Sequence, residues 1–417
     1  MKRLSWKTAG VLALAVAGLG GCGGGGAAGK QVVVFWQFFP AEQVQPLLDE
    51  FQKQNPDVTV QMEQLTWQSG LEKITAAVAG GTVPDLCELG STWFPRFATQ
   101  GALADWTDST GTIESQFTLW ELARSNGRTY GMPWMVGTRA LFWNKTLFAH
   151  AGLDTNHAPS TWPEILEATR RVQALGNGVA GYGVNAGERY ILFKKYMPYA
   201  WSNGGELLSA DGKSAAFDSP ANVEALELYL ALAKHGRTDR QDQLDEAFLQ
   251  GKLGAQISGA WLFRKIPTQA PDLAYGVALI PKPAADHGTH ASFAGGEILV
   301  SFSASKNPNG AFRLARFLAS KEAALALAKA NKAVQPAAVG AVDDPYYRER
   351  PNEAMMVEQL LLSRTTPNHP DWLDMEAAIE DEIEQALYGK KTPAAAVRAA
   401  NGRMNEILAR TAASAAR

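Results

Sequence analysis

Strand-like and helix-like segments alternate from residue 31 to residue 89, and no other feature of the chain constrains its fold as strongly. Residues 31–36 form a β-branched and aromatic run. Pro40 then opens a segment in which Val44, Leu47, Leu48 and Phe51 recur at i, i+3, i+4 and i+7, one apolar face of a helix. Asn55-Pro56-Asp57 stops it, and residues 58–62 alternate as a second strand. Leu71, Ile74, Ala77 and Val78 mark a second helix that Gly80-Gly81 ends, and residues 86–89 read as a short buried strand. A βαβαβ opening predicts a parallel sheet with helices on both faces, so the fold class is α/β. Ligands of such sheets sit at the carboxyl ends of the strands. That places a site among residues 36–39, 65–68 and 88–93.

Before this alternation the chain reads as a targeting segment. Lys2, Arg3 and Lys7 form a positive region, and residues 11–19 form an apolar stretch too short to span a bilayer comfortably. Leu19-Gly20-Gly21-Cys22 follows, small residues before a cysteine. This order resembles the lipobox of bacterial lipoproteins, which implies a signal peptide over residues 1–21 and a diacylglycerol on Cys22. Residues 22–30 then make a lipidated, glycine-rich tether, and two acyl chains supply a stable membrane anchor. Cys87 is the one other cysteine, so no intramolecular disulfide remains after lipidation, and it reads as a small buried residue.

The remaining composition excludes several classes. A net charge of −3, without a run of one sign, is no footprint for a nucleic-acid binder. Gly24, Gly26 and Gly29 match G-x-G-x-x-G, but they follow a signal peptide and precede a strand, the reverse of the required order. His287 and His290 stand close in a loop with no third ligand nearby, so no metal or cofactor is expected.

Beyond residue 90 the pattern continues through strands near 140–143, 271–283 and 298–302. Helices follow near 161–175, 219–233, 308–319, 321–332, 372–388 and 393–408. Thr161 and Glu164 have capping-box spacing.

Five segments in order resemble the family of bacterial extracellular solute-binding proteins, the sugar-binding branch of the maltose-binding protein superfamily. They are Val34-Phe35-Trp36 with the helix ending at Asn55-Pro56, and Gly80-Gly81-Thr82-Val83-Pro84-Asp85. Next come Gly137-Thr138-Arg139-Ala140-Leu141-Phe142-Trp143-Asn144-Lys145, then Gly251-Lys252 through Gly259-Ala260-Trp261. The last is Gly295-Gly296 with Ser305-Lys306-Asn307. The chain has Phe142-Trp143 where tyrosine is commoner before Asn-Lys. The resemblance implies a two-lobe, periplasmic-binding-protein-like fold of type II, its ligand cleft between lobes joined by a hinge. Lobe 1 is expected over 31–138 plus 290–336 and lobe 2 over 139–289 plus 337–417. It further implies a monomeric, extracytoplasmic protein that binds a carbohydrate, serves the permease subunits of an ABC importer and is not an enzyme.

A pyranose shows an apolar face that an aromatic ring covers and a rim of hydroxyls that amides, carboxylates and guanidinium groups bind. The expected aromatic contacts are Trp36, Phe38, Trp67, Trp93, Trp134, Trp201 and Trp261. The expected polar contacts are Gln37, Gln68, Glu88, Ser91, Arg139, Asn203, Gly204, Gly295, Gly296 and Glu297. Asp85 reads as a turn residue beside Pro84. The loops carry aromatics and amides with few charges, which favours a neutral mono- or oligosaccharide over a glycerol phosphodiester or a polyamine. The rival of another class is a glycoside hydrolase with Glu88 and Glu297 as its paired carboxylates.

Overall fold

The computed structural model describes residues 30–415, so the expected signal peptide and Cys22 lie outside the described residues. The first sheet begins with β1 (Gln31–Gln37), α1 (Ala41–Gln54), β2 (Val58–Gln64), α2 (Gly70–Gly80) and β3 (Leu86–Gly90). β1 pairs in parallel with β2 and with β3. Alternation along β1 sends Val33 and Phe35 into an apolar cluster with Val44, Leu48 and Phe51 of α1. Trp36 goes to the opposite face, with Ile74 and Ala77 of α2. α2 stops where the sequence predicts, because Gly81 takes φ +67° and its N–H returns to the carbonyls of the last turn.

β4 (Gly131–Thr138) ends in this sheet and β5 (Ala140–Asn144) begins the second, so Arg139 alone joins them. The second sheet is completed by β6 (Ala180–Asn185), β7 (Arg237–Asp239), β8 (Leu253–Ser258) and β9 (Tyr275–Ala278), in the order β9-β5-β8-β6-β7. α3 (Trp162–Gln173), α4 (Phe193–Ser202) and α5 (Pro220–Lys234) cover one face; α6 (Gln241–Leu249) and α7 (Leu262–Gln269) cover the other. The capping box forms, with the Thr161 N–H donating to the Glu164 carboxylate at 3.0 Å.

The chain returns to the first sheet as β10 (Ser292–Val300), antiparallel to both β3 and β4. After α8 (Pro308–Leu318) and α9 (Lys321–Asn331) it adds β11 (Gln335–Pro336), giving the order β11-β4-β10-β3-β1-β2. α10 (Pro351–Leu361) leads to β12 (Ser363–Arg364), which pairs with the start of β10, and α11 (Trp372–Leu387) and α12 (Pro393–Ala415) pack on the second lobe. β10 starts earlier than its sequence predicts. Gly295 and Gly296 lie inside the strand instead of before it, because the missing side chains let β10 approach β4. A Cβ on Gly296 would stand 2.2 Å from the Met135 carbonyl oxygen.

Asp85 is more than a turn residue. It is buried, and its carboxylate accepts from the Val34 N–H (3.0 Å), the Ser305 hydroxyl (2.7 Å) and the N–H groups of Lys306 (3.1 Å) and Asn307 (2.9 Å). It thereby ties β1 to the chain entering α8. Asp85→Ala leaves those part-buried donors without their acceptor and is expected to lower the unfolding free energy by about 3 kcal/mol. A urea titration checks this, and a loss below about 1 kcal/mol would contradict it.

Candidate binding cleft

The carboxyl ends of β1 and β3 form one wall. Phe38, just past β1, donates its N–H to Glu88 Oε2 at 2.7 Å. Its ring stacks on Trp67 with centroids 4.2 Å apart, and Trp93 meets both rings edge-on at 5.9 and 5.2 Å. Gly70 makes room, since a Cβ there would fall 2.4 Å from the Phe38 ring. Trp67 is 48% exposed and offers an aromatic face to solvent. Trp36 lies deeper in the same cluster with the Lys73 ammonium 4.5 Å from its centroid, so it supports the wall. Gln68 is exposed on the Trp67 turn.

Glu88 and Gln37 are fully buried, yet Glu88 Oε1 and Gln37 Oε1 have no hydrogen-bond partner among the described residues. Glu297, at a register shift in β10, likewise has Oε2 unpartnered. Burial pushes the Glu88 carboxyl well above its ordinary range, and the neighbouring Glu297 adds to this. Burial raises Glu297 to about 7, against the pull of Arg139 and Lys194.

Arg139, the single-residue bridge between the sheets, lies 4.8 Å from the Trp261 ring centroid and 5.6 Å from that of Phe293. Its Nη1 donates to the Thr138 carbonyl at 3.0 Å, while Nε is buried without a partner. Burial lowers its pKa to about 10. Trp261 is held by its indole N–H, which donates to Asp245 at 2.7 Å. Asp245 is buried and also accepts from Gln241, Gln256, Ser258 and Lys265. Sheet 2 thus supplies a second, aromatic-and-cationic wall.

Several expected site residues are elsewhere. Trp134 is fully buried in the first core, edge-on to Phe39 at 5.1 Å, with its N–H spent on the Leu318 carbonyl. Trp201 is buried in α4 against Phe193, under Arg364. Asn203 binds the Ala221 carbonyl and Glu224, clamping the end of α4 to α5, and Gly204 ends α4 at φ +83°. Ser91 and Gly296 exchange hydrogen bonds with each other, and Gly295 is paired with Gly137 in the strand ladder. Here the Trp134 indole, the Asn203 amide nitrogen and the Ser91 and Gly296 backbone groups are already spent on protein partners.

Sequence reasoning missed four charged residues at the cleft. Lys194 and Lys195 come from α4. The Lys194 ammonium stands 5.3 Å from the Phe293 ring centroid; the Lys195 ammonium donates to the Ile257 carbonyl at 3.1 Å and stands 5.1 Å from the Trp261 ring centroid. Glu376 and Glu380 come from α11, which crosses back to lobe 1. There Leu373 joins the Trp36 cluster and Asp374 pairs with Arg96 at 3.1 Å. Glu376 is fully buried with the Trp372 indole facing it; burial raises it to about 7, against the pull of Lys194 and the indole. Glu380 accepts from the N–H groups of Tyr190 and Phe193, at the start of α4. The signal was present. Two lysines interrupt the apolar run 192–197, and two glutamates four apart sit on the apolar stripe of α11.

Among the described residues no group of three or more His, Cys, Asp or Glu is placed to hold a metal ion. His290 bonds the Ile280 carbonyl. No described helix is long and apolar enough to cross a membrane.

Comparison with known proteins adds the lineage. The family profile described as bacterial extracellular solute-binding protein matches residues 40–325. A putative binding protein of Brucella abortus is 29% identical over 371 residues, covering 86% of this chain and 88% of that one. The diacetylchitobiose-binding protein of Streptomyces coelicolor is 26% identical over 385 residues, 84% and 83% of the two chains. Among solved structures, an ABC transporter solute-binding protein of Thermotoga lettingae with bound α-D-tagatose superposes with a TM-score of 0.82. It is 26% identical, and the match covers 91% of this chain and 100% of that one.

Proposed function

We propose, on the premise that this chain belongs to the bacterial extracellular solute-binding proteins, that it captures a mono- or oligosaccharide for an ABC importer. Its place is extracytoplasmic, as for its family. The observation that carries the reading is the cleft itself: an exposed aromatic face at Trp67 beside buried polar groups with unused hydrogen-bonding capacity at Gln37, Glu88, Glu297 and Arg139. A polyhydroxylated ring supplies the apolar face and the rim that such a surface lacks.

The working cycle is binding and release without covalent chemistry. Solute settles on one wall, the lobes close over it about the strand crossings, and the closed form docks on the permease subunits. Closure reports occupancy only because solute contacts both walls when the lobes are shut. Lobe 1 is assigned to 31–138 plus 290–336 and lobe 2 to 139–289 plus 337–417, which agrees with the sheet of every strand except β12, a lobe 2 segment that pairs with β10 of the first sheet. The signal peptide, the lipid anchor at Cys22 and the monomeric state complete the reading.

A thermal-shift screen of the purified protein against mono-, di- and oligosaccharides tests it. Solute at about 100 times its Kd stabilises the fold by about 2.7 kcal/mol. Trp67→Ala should lower affinity at least about tenfold while changing the stability of the empty protein little, since the ring is half exposed. No shift with any saccharide, or recovery of cleaved sugar, defeats the proposal.

A further inference from the structure

Most of the polar atoms left unpartnered at the cleft are acceptors; Arg139 Nε and Trp372 Nε1 are donors among them. Gln37 Oε1, Glu88 Oε1 and Glu297 Oε2 are acceptors without donors, and the oxygens of Glu376 face the Trp372 indole N–H, itself without another partner. Three of these residues lie on β1, β3 and β10, consecutive strands of one sheet. Gln37 and Glu88 follow the Trp36–Cys87 pair by one residue in parallel strands, so they share a sheet face. Buried acceptors are normally satisfied, so three on neighbouring strands mark where a donor-rich group belongs.

The charges tell the same story. Glu88, Glu297 and Glu376 are carboxyls without a salt bridge among the described residues. Arg139 and Lys194 are the cations that face them without one. The other charges nearby are accounted for: Asp245 pairs with Lys265 at 3.2 Å, Glu380 lies 4.0 Å from Arg189 and accepts two backbone N–H groups, and Lys195 is bonded to a carbonyl beside Asp245. Lys195 keeps its own charge on the Trp261 side, so the shortfall of positive charge is local: Glu88 and Glu297 face each other with Arg139 as their cation, while Lys194 is shared with Glu376. Without solute, a proton on the Glu88–Glu297 pair supplies it, in line with the raised affinity of Glu88 for protons. A sugar hydroxyl brings one donor hydrogen and no charge, whereas a primary ammonium brings three donors and a full charge.

Resting on the saccharide reading above, we propose that the solute carries a protonated amine, seated among Gln37, Glu88 and Glu297, so that the substrate class is an amino sugar. The few charges in the strand-end loops favour a neutral cargo in the sequence; what argues otherwise is that Glu88 of β3 and Glu297 of β10 are buried together without a salt bridge.

Titration calorimetry at pH 7 with matched sets tests this. The probes are glucosamine, N-acetylglucosamine and glucose; galactosamine and galactose; and the β-1,4-linked glucosamine dimer, N,N′-diacetylchitobiose and cellobiose. The amine of one set should bind at least about tenfold tighter than its hydroxyl and acetamide counterparts. Glu88→Gln and Glu297→Gln, each checked for an unchanged fold by circular dichroism, should erase that preference. An acetamide or hydroxyl member that binds as tightly overturns the inference and leaves the saccharide reading standing. An amine preference that survives in both variants overturns the assigned seat. No binding in any set overturns both readings.

Discussion

Asp245→Ala is expected to lower the unfolding free energy by about 3–5 kcal/mol and to weaken solute binding together with it. The carboxylate is buried at the meeting point of α6, β8 and α7. It accepts from Gln241 at 2.9 Å, Ser258 at 3.1 Å, Gln256 at 3.2 Å and the Trp261 indole at 2.7 Å, and it pairs with Lys265 at 3.2 Å. Removing it strands those donors and takes away the negative charge opposite the buried Lys195. Loss of one partner from a buried ionic network costs far more than the network contributes in net stability. Binding is expected to suffer through Trp261, whose ring stands 4.8 Å from Arg139 and whose indole N–H is bonded to Asp245. Chemical denaturation and calorimetry read the two effects separately. A variant that keeps wild-type stability, or one that loses stability with unchanged affinity, would show that Asp245 does not hold the second wall. Asp245→Asn keeps the shape and an acceptor oxygen, so it should recover part of the stability but not the charge opposite Lys195.

The second large effect is a fall in the stability of the solute-free protein as pH rises from about 5 to about 8. Burial raises Glu376 and Glu297 to about 7 from an ordinary 4.5 and Glu380 to about 8. Lys194 and Arg189 face Glu376 as attractive charges, with Glu380 and Tyr190 beside it; Arg139, Lys194 and Glu88 face Glu297. Each carboxyl binds its proton more tightly in the folded chain than in the unfolded one. Their contribution to stability is therefore complete below about pH 4.5 and is lost as pH climbs through the folded values. For the fully buried Glu376 this is on the order of 3 kcal/mol. Glu376→Gln, neutral at every pH, should flatten that part of the slope. Urea midpoints at intervals between pH 5 and pH 8 measure it, and a stability that stays level or rises over that range would refute the assignment. The same titration bears on capture, because solute that supplies a positive charge competes with the proton on the Glu88–Glu297 pair and should bind more tightly as pH rises.

What the amino-acid sequence determined by itself was local. Period-two and period-3.6 patterns set β1, α1, β2, α2 and β3 within a few residues, because side-chain alternation and helical spacing are properties of neighbours in the chain. The capping box at Thr161 and the left-handed stop at Gly81 were legible for the same reason. The carboxyl-end rule pointed to Gln37, Phe38, Trp67, Glu88 and Trp93 and the family segments to Arg139, Trp261 and Glu297, which the fold gathers along the proposed cleft. Tertiary structure alone decided which aromatic rings are walls and which are core. Trp67 follows β2 and Trp134 lies within β4, but Trp134 is covered by Phe39 and α8 while Trp67 stacks on Phe38 and stays half exposed. It also decided the charge of the cleft. Lys194 and Glu376 are 182 residues apart, and neither lies in a loop after a strand of the first sheet; α11 crosses back over lobe 1 and brings them to one place. A sequence pattern records which residues share a face of one element. Which faces of distant elements meet, and which polar atoms are left without partners there, is fixed only when the elements pack.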